Sequence, residues 1–89
     1  MCTYIVETTP IVGSAKGQRG WMKVDAANVS YDHPYHAPLE HALTIDFTGT
    51  SGDVGDRVAV EMSAASARAL VEKIQAALAR GDAEHASSR

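Results

Sequence analysis

The stretch His41-Ala-Leu-Thr-Ile-Asp-Phe47 decides the fold of this chain, because its apolar and polar residues alternate. In an extended strand, successive side chains point to opposite sides. One side carries His41, Leu43, Ile45 and Phe47, and the other carries Ala42, Thr44 and Asp46. The stretch therefore predicts a strand with one side against an apolar core, and it predicts that His41 points to that side.

Further strands are predicted on both sides of this stretch. Residues 2–7, 21–24, 27–31 and 57–62 are rich in β-branched, aromatic or other apolar residues, which favour strands. Residues 13–20 contain three glycines and predict a mobile connection, and residues 49–55 predict a turn-rich loop. The predicted sheet thus has four or five strands, and the core that it covers is expected to include Trp21.

The last third of the chain predicts one helix. Ser63 is a suitable N-cap and Gly81 a suitable residue just beyond the end, so the helix is predicted over residues 64–80. An apolar stripe at helical spacing should pack on the sheet; it consists of Ala67, Leu70, Val71, Ile74, Ala77 and Leu78. The predicted architecture is α+β: an antiparallel four- or five-stranded sheet with one C-terminal helix packed on a face. Residues 1–81 are predicted to form a single domain, and residues 82–89 a polar, disordered tail.

Length and composition limit the classes of function. The chain has 89 residues, 45% of them hydrophobic, a net charge of −3 and a single cysteine. No basic stripe appears, so we expect no nucleic-acid partner, and no apolar run approaches the length that crosses a membrane. A cytoplasmic location is the default expectation. Because so small a core gives marginal stability and no second cysteine is present, we predict a homodimer.

Three of the four histidines lie within nine residues, as His33, His36 and His41. Imidazole is the commonest metal ligand in proteins, and a metal site needs several donors within about 2.0–2.3 Å of one point. Pro34 and Pro38 stiffen the segment between them. The cluster predicts a site for a transition metal ion, with zinc, iron, copper and nickel as the candidates. The alternative is a solvent-exposed loop without a ligand.

Cys2 is the candidate for a fourth ligand, because a thiolate binds zinc, copper and iron well. Its alternative role is that of a small buried apolar residue. Asp32 and Glu40 are carboxylates next to the histidines, and they are candidate catalytic proton carriers if the metal activates water or oxygen. Ordinary solvated acids are the alternative for these two.

Three functions remain open on these observations. The first is a small metal-binding protein, or a metal-dependent enzyme, that uses His33, His36, His41 and Cys2. The second is a metal-free small-molecule-binding or accessory protein with a pocket between the sheet and the helix, where the histidines bind a polar ligand. The third is a module that binds a partner protein through an exposed sheet edge.

Two stretches and the start of the helix carry a family resemblance. They are Met1-Cys-Thr-Tyr4, the run Asp32-His-Pro-Tyr-His-Ala-Pro-Leu-Glu-His41, which continues into Leu43-Thr-Ile-Asp-Phe47, and residues 64–70. Together they resemble a family of short actinobacterial proteins of unknown function over nearly the whole chain. The resemblance implies that Cys2 and the three histidines belong to one recurring pattern, and it implies no activity.

Overall fold

The structure, a computed structural model, describes residues 5–18, 20–49 and 57–85. It confirms the predicted α+β class, with four strands and one helix. The elements are β1 (Val6–Gly17), β2 (Gly20–Asp32), β3 (Ala42–Thr48), β4 (Arg57–Met62) and α1 (Ala64–Glu84).

The four strands form an antiparallel meander in the order β1-β2-β3-β4. β1 and β2 are one long hairpin, which turns at Gly20 with a φ of 104°, a value that favours glycine. The predicted mobile connection over residues 13–20 is therefore wrong up to Gly17, and the two short strands predicted over residues 21–31 are one strand. Only residues 26–32 of β2 pair with β3, so the far end of the hairpin projects as a two-stranded ribbon.

Alternation along the paired strands divides the sheet into two faces. Pairing in register places Tyr31 beside Leu43 and Leu43 beside Met62, so like residues meet across the strands. The apolar face comprises Val29, Tyr31, Leu43, Ile45, Phe47, Val58, Val60 and Met62. The polar face comprises Thr8, Asn28, Ser30, Asp32, Thr44, Asp46, Arg57 and Glu61.

The helix begins as predicted and ends later. The Ser63 hydroxyl caps it by accepting a hydrogen bond from the Ser66 backbone N–H at 3.1 Å. The end predicted at Gly81 is wrong: helical residues continue to Glu84, and the His85 N–H donates to the Gly81 carbonyl. Only the first turns lie against the sheet, where Ala67 is buried beside Tyr31 and Leu43.

The core within the described residues is small and consists mostly of alanine. Its buried members are Val24, Ala27, Ala42 and Ala67. Trp21, which we expected in this core, is 70% exposed on the projecting ribbon. The radius of gyration is 15.2 Å, whereas a compact domain of this length has roughly 12 Å. A single chain therefore leaves much of its apolar surface uncovered.

Candidate functional site

The three clustered histidines lie in the connection between β2 and β3, residues 33–41, here called the histidine loop. Glu61, on the polar face of β4, holds this loop. Its carboxylate accepts hydrogen bonds from three consecutive backbone N–H groups: Oε2 from Tyr35, and Oε1 from His36 at 3.0 Å and Ala37 at 2.9 Å. One side chain thus fixes the middle of the loop over the polar face of the sheet.

These contacts favour the ionised form of Glu61. The N–H groups of Ala37 and Tyr35 are the main cause that lowers its pKa below the ordinary value, and the nearby His36 adds to the effect. Sequence reasoning missed Glu61. The signal in the sequence was a single acid in the strand Arg57-Val-Ala-Val-Glu-Met62. Alternation places the side chain of this acid on the face opposite to Val60 and Met62.

The structure brings two of the histidines together with a tyrosine. The rings of His33 and His41 are stacked with centroids 5.1 Å apart, and His41 is stacked on Tyr31 at 5.8 Å. His36 is instead fastened through its backbone to Glu61. All three histidines are exposed. His41 lies on the predicted side of the sheet, where it stacks on Tyr31 of the apolar face, but it is exposed and not part of the core, because β3 begins only at Ala42.

Hydrogen bonds inside the loop fix the tautomer of His33. Its Nδ1 lies 3.0 Å from the Glu40 carbonyl oxygen, which can only accept, so Nδ1 carries the proton and Nε2 keeps the lone pair in the neutral ring. The Asp32 carboxylate accepts the His33 backbone N–H at 2.7 Å. Asp32 and Glu40, the two predicted proton carriers, are thus both near His33, one through its side chain and one through its backbone.

Among the described residues, the His33 and His41 rings are not oriented toward one common metal ion. The His33 and His41 rings are inclined by only 21°, and an ion must lie in the plane of each imidazole that binds it. Two nearly parallel, stacked rings cannot meet this condition at one ion without rotating. Within the described ranges, no three His, Cys, Asp or Glu side chains are grouped to hold a metal. Cys2 lies outside the described residues, so its role as a ligand stays a prediction.

A cleft of about 400 Å³ lies between the histidine loop and the polar face. Ile5 and Val6 give it an apolar wall, and its other lining residues are Asn28, Ser30, Asp32, His33, Tyr35, Thr44, Asp46 and Arg57. An adjoining hollow of about 510 Å³ extends from it toward Glu61 and His36, and the two share Tyr35, Thr44 and Arg57. The Tyr35 side chain is almost fully exposed at their common border.

A row of polar contacts crosses the floor of this cleft. Thr8 donates to Asn28 Oδ1 at 2.8 Å, and Asn28 Nδ2 donates to the Asp46 carbonyl at 3.4 Å. Arg57 Nη2 pairs with Asp46 Oδ2 at 2.7 Å. Among the described residues, the buried Asp46 Oδ1 has no hydrogen-bond partner. Because this atom has almost no surface open to the cleft, the groups that face the opening are its neighbours, Ser30, Asp32 and Thr44 among them.

A second cleft, of about 320 Å³, lies between the sheet and the helix. It is lined by Tyr31, Leu43, Ala64, Ala67 and Arg68, and its walls are mainly apolar. This is where the metal-free alternative placed its pocket, but no histidine lines it. His33 instead lines the cleft on the opposite face and His36 lines the adjoining hollow, whereas His41 is stacked on Tyr31.

In the part of the chain that the structure describes, no helix has the length and apolar character to cross a membrane.

Comparison with known proteins identifies one family. Neither the curated proteins nor the solved structures include a match. A family profile does match, over residues 1–87, which is nearly the full length of the chain. The chain belongs to this family, whose description is Family of unknown function (DUF6295).

Proposed function

We propose that the protein binds a small polar molecule in the cleft between the histidine loop and the polar face of the sheet. The observation that carries this proposal is the set of polar side chains that line one opening, Ser30, Thr44 and Arg57 among them. A ligand with an amine, amide or hydroxyl group donates hydrogen bonds to the oxygen atoms of this floor. The binding site lies on the face opposite to the one that the sequence predicted for a ligand pocket.

The surrounding residues define the ligand class further. The Arg57 guanidinium has donors beyond the one used on Asp46, so an acceptor group of the ligand binds beside the donor group. The exposed Tyr35 ring offers a flat apolar surface at the edge of the cleft. Small amino acids, amides and amino alcohols combine these features, and they are the compounds that we expect to bind.

Binding is tested by titrating ¹⁵N-labelled protein with a panel of such compounds, with simple sugars and alkanes as comparison. We expect the amide signals of Asn28, Ser30 and Thr44 to shift. Asp46→Asn keeps the shape but places an amide on the cleft floor, and it should weaken binding about tenfold or more. Glu72→Gln makes the same carboxylate-to-amide change on the helix and should leave affinity unchanged. Equal affinity for Asp46→Asn and the unmodified protein would refute the site.

A second candidate function is metal binding by the histidine loop, and the hydrogen bond between His33 Nδ1 and Glu40 supports it. A backbone carbonyl on one imidazole nitrogen is a common way to orient the other nitrogen toward a metal. The ligands would be His33, His36, His41 and Cys2, after the His33 and His41 rings rotate. Asp32 and Glu40 would then carry protons in a metal-dependent enzyme.

Calorimetric titration with zinc, copper, iron and nickel tests this second function. Binding should weaken below about pH 6, because protons compete for imidazole near its usual pKa of roughly 6.5. His41→Ala should weaken it, and Cys2→Ser distinguishes a thiolate ligand from a packed side chain. If no metal binds more tightly than about 10 μM, the metal function is refuted. The polar-ligand proposal is unaffected by that outcome.

A further inference from the structure

One end of the cleft below the histidine loop is aliphatic. Val6 begins β1 and pairs with Ser30 of β2, so the two side chains lie on the same face of the sheet. Val6 is 50% exposed, and Ile5, which precedes it and also lines the cleft, is 44% exposed. Two half-exposed aliphatic residues thus form one wall of an opening whose floor is polar.

The strand register gives the order of chemical groups across this floor. Ser30 pairs with Thr44 of β3, and Thr44 pairs with Glu61 of β4. One row across the four strands therefore runs from Val6 through two hydroxyl groups to Glu61. The Glu61 carboxylate already accepts three N–H groups of the histidine loop. For a bound molecule, the row begins with an aliphatic group at β1 and ends with a hydroxyl group at β3.

A cationic group lies near the β3 end of the row. Arg57, like Thr44, lines both the cleft and the adjoining hollow. Its guanidinium pairs with Asp46 through Nη2 and has further N–H donors. An acceptor oxygen of a ligand is therefore stabilised at this end, whereas aliphatic atoms are stabilised at Val6, where they remove apolar surface from water. The two ends of the cleft favour opposite ends of one molecule.

The distance between the two ends limits the length of that molecule. Neighbouring strands lie about 4.8 Å apart, so Val6 on β1 and Thr44 on β3 are separated by roughly 10 Å. With bonds of about 1.5 Å, an extended chain of roughly six carbon atoms with a polar terminal group covers most of this distance. A molecule as small as glycine reaches only one of the two ends.

We propose that the cleft binds an amphipathic molecule that lies across the strands. Its aliphatic end lies against Val6 and Ile5, and its hydrogen-bonding end lies at Thr44 and Arg57. Aliphatic amides with about six carbon atoms are the simplest compounds of this class. This inference rests on the polar-ligand function proposed above, to which it adds the aliphatic end, the orientation and the length of the ligand.

A series of primary amides, titrated into the isotope-labelled full chain and followed by NMR, tests this inference. Hexanamide should bind about tenfold more tightly than butanamide, because its two additional methylene groups cover the aliphatic wall. The Val6 methyl signals should shift on addition of hexanamide, together with the amide signals of Ser30 and Thr44. In Val6→Thr the ratio of the two affinities should fall to about threefold, since a hydroxyl replaces a methyl group that the ligand covers.

Val60→Thr is the matched control. Val60 is 43% exposed and lies on the apolar face, so the same change there should leave the tenfold ratio unaltered. Equal affinities of butanamide and hexanamide would overturn the aliphatic end of the site, as would a ratio that falls equally in Val6→Thr and Val60→Thr. Either result leaves the polar-ligand function standing, because butanamide still binds.

Two further outcomes are distinguished by the signals that shift. If hexanamide shifts Ala67 and Arg68 in place of Ser30 and Thr44, it binds between the sheet and the helix, and the inference is overturned. If neither amide binds, and no small amino acid or amino alcohol binds either, the proposed function has failed and the inference fails with it.

Discussion

Two regions of the molecule differ in whether their side chains have partners within the chain. One is the polar face with its histidine loop, and the other is the C-terminal half of α1. On the polar face, Glu61 accepts three N–H groups, and Asn28 connects neighbouring strands by hydrogen bonds. Along the helix, Val71, Ile74 and Leu78 remain about half exposed or more. The first region is organised by contacts inside one chain. The second region leaves its apolar side uncovered within the described part of the chain.

This comparison predicts that a larger side chain destabilises the fold next to the histidine loop and has little effect on stability on the outer face of α1. Ala42 is fully buried where β3 begins, directly after the histidine loop. Ala42→Leu should lower the free energy of unfolding by about 1–3 kcal/mol, since the surrounding groups must move apart. Ala76→Leu, the matched change on the outer face of α1, should stay within about 0.5 kcal/mol of the unmodified protein.

Urea unfolding followed by circular dichroism measures both values, at one protein concentration so that association does not differ between samples. Equal stability of Ala42→Leu and Ala76→Leu would mean that the start of β3 is packed no more tightly than the outer face of α1. The contrast between the two regions would then be lost.

A smaller and more local effect is expected from replacing Glu61, which holds the histidine loop. Glu61→Ala removes the acceptor for the N–H groups of Tyr35, His36 and Ala37. These three amides should exchange with solvent faster in hydrogen–deuterium exchange, while the amides of α1 keep their rates. Glu72→Ala removes a helix carboxylate and should leave the loop amides unchanged. Unaltered exchange at residues 35–37 in Glu61→Ala would show that the loop is held by other contacts.

Lowering the pH should weaken the contacts between Glu61 and the histidine loop, as Glu61→Ala does. The pKa of Glu61 is lowered in the folded chain, so its ionisation contributes stability at pH values above the ordinary value of 4.5. That contribution decreases as the pH falls below 4.5 and disappears below the folded-state pKa. The difference in melting temperature between the unmodified protein and Glu61→Gln should therefore shrink as the solution is acidified. A difference that stays constant down to the acid limit of folding would contradict this origin.

Local patterns in the sequence predicted the parts of the fold that depend on nearby residues. Alternation identified β3, the apolar and β-branched content of residues 57–62 identified β4, and Ser63 identified the start of the helix. The long β1–β2 hairpin was missed because glycines 13 and 17 carry no side-chain pattern and are paired across strands. The continuation of the helix through Gly81 was missed because glycine is only moderately unfavourable in a helix.

Of the candidate site, sequence alone located the histidine loop but not its arrangement. Glu61 is 24 residues from Ala37 along the chain, and only the pairing of β3 with β4 brings it to the loop. The same pairing creates the cleft floor, where Asp46 from β3 meets Arg57 from β4. Contacts between distant residues depend on strand register, which a single sequence does not reveal. For the same reason, the stacking of His33 on His41 could not be foreseen.

The smallest effect is expected at Trp21, which belongs to neither of the two compared regions. It lies on the projecting ribbon of the β1–β2 hairpin and is 70% exposed. Trp21→Phe should change the free energy of unfolding by less than about 0.5 kcal/mol, because an exposed ring contributes few packing contacts. Circular dichroism is the suitable measurement, since the variant has lost the single tryptophan of the chain. A loss of more than about 1 kcal/mol in Trp21→Phe would show that the ring packs against another part of the molecule.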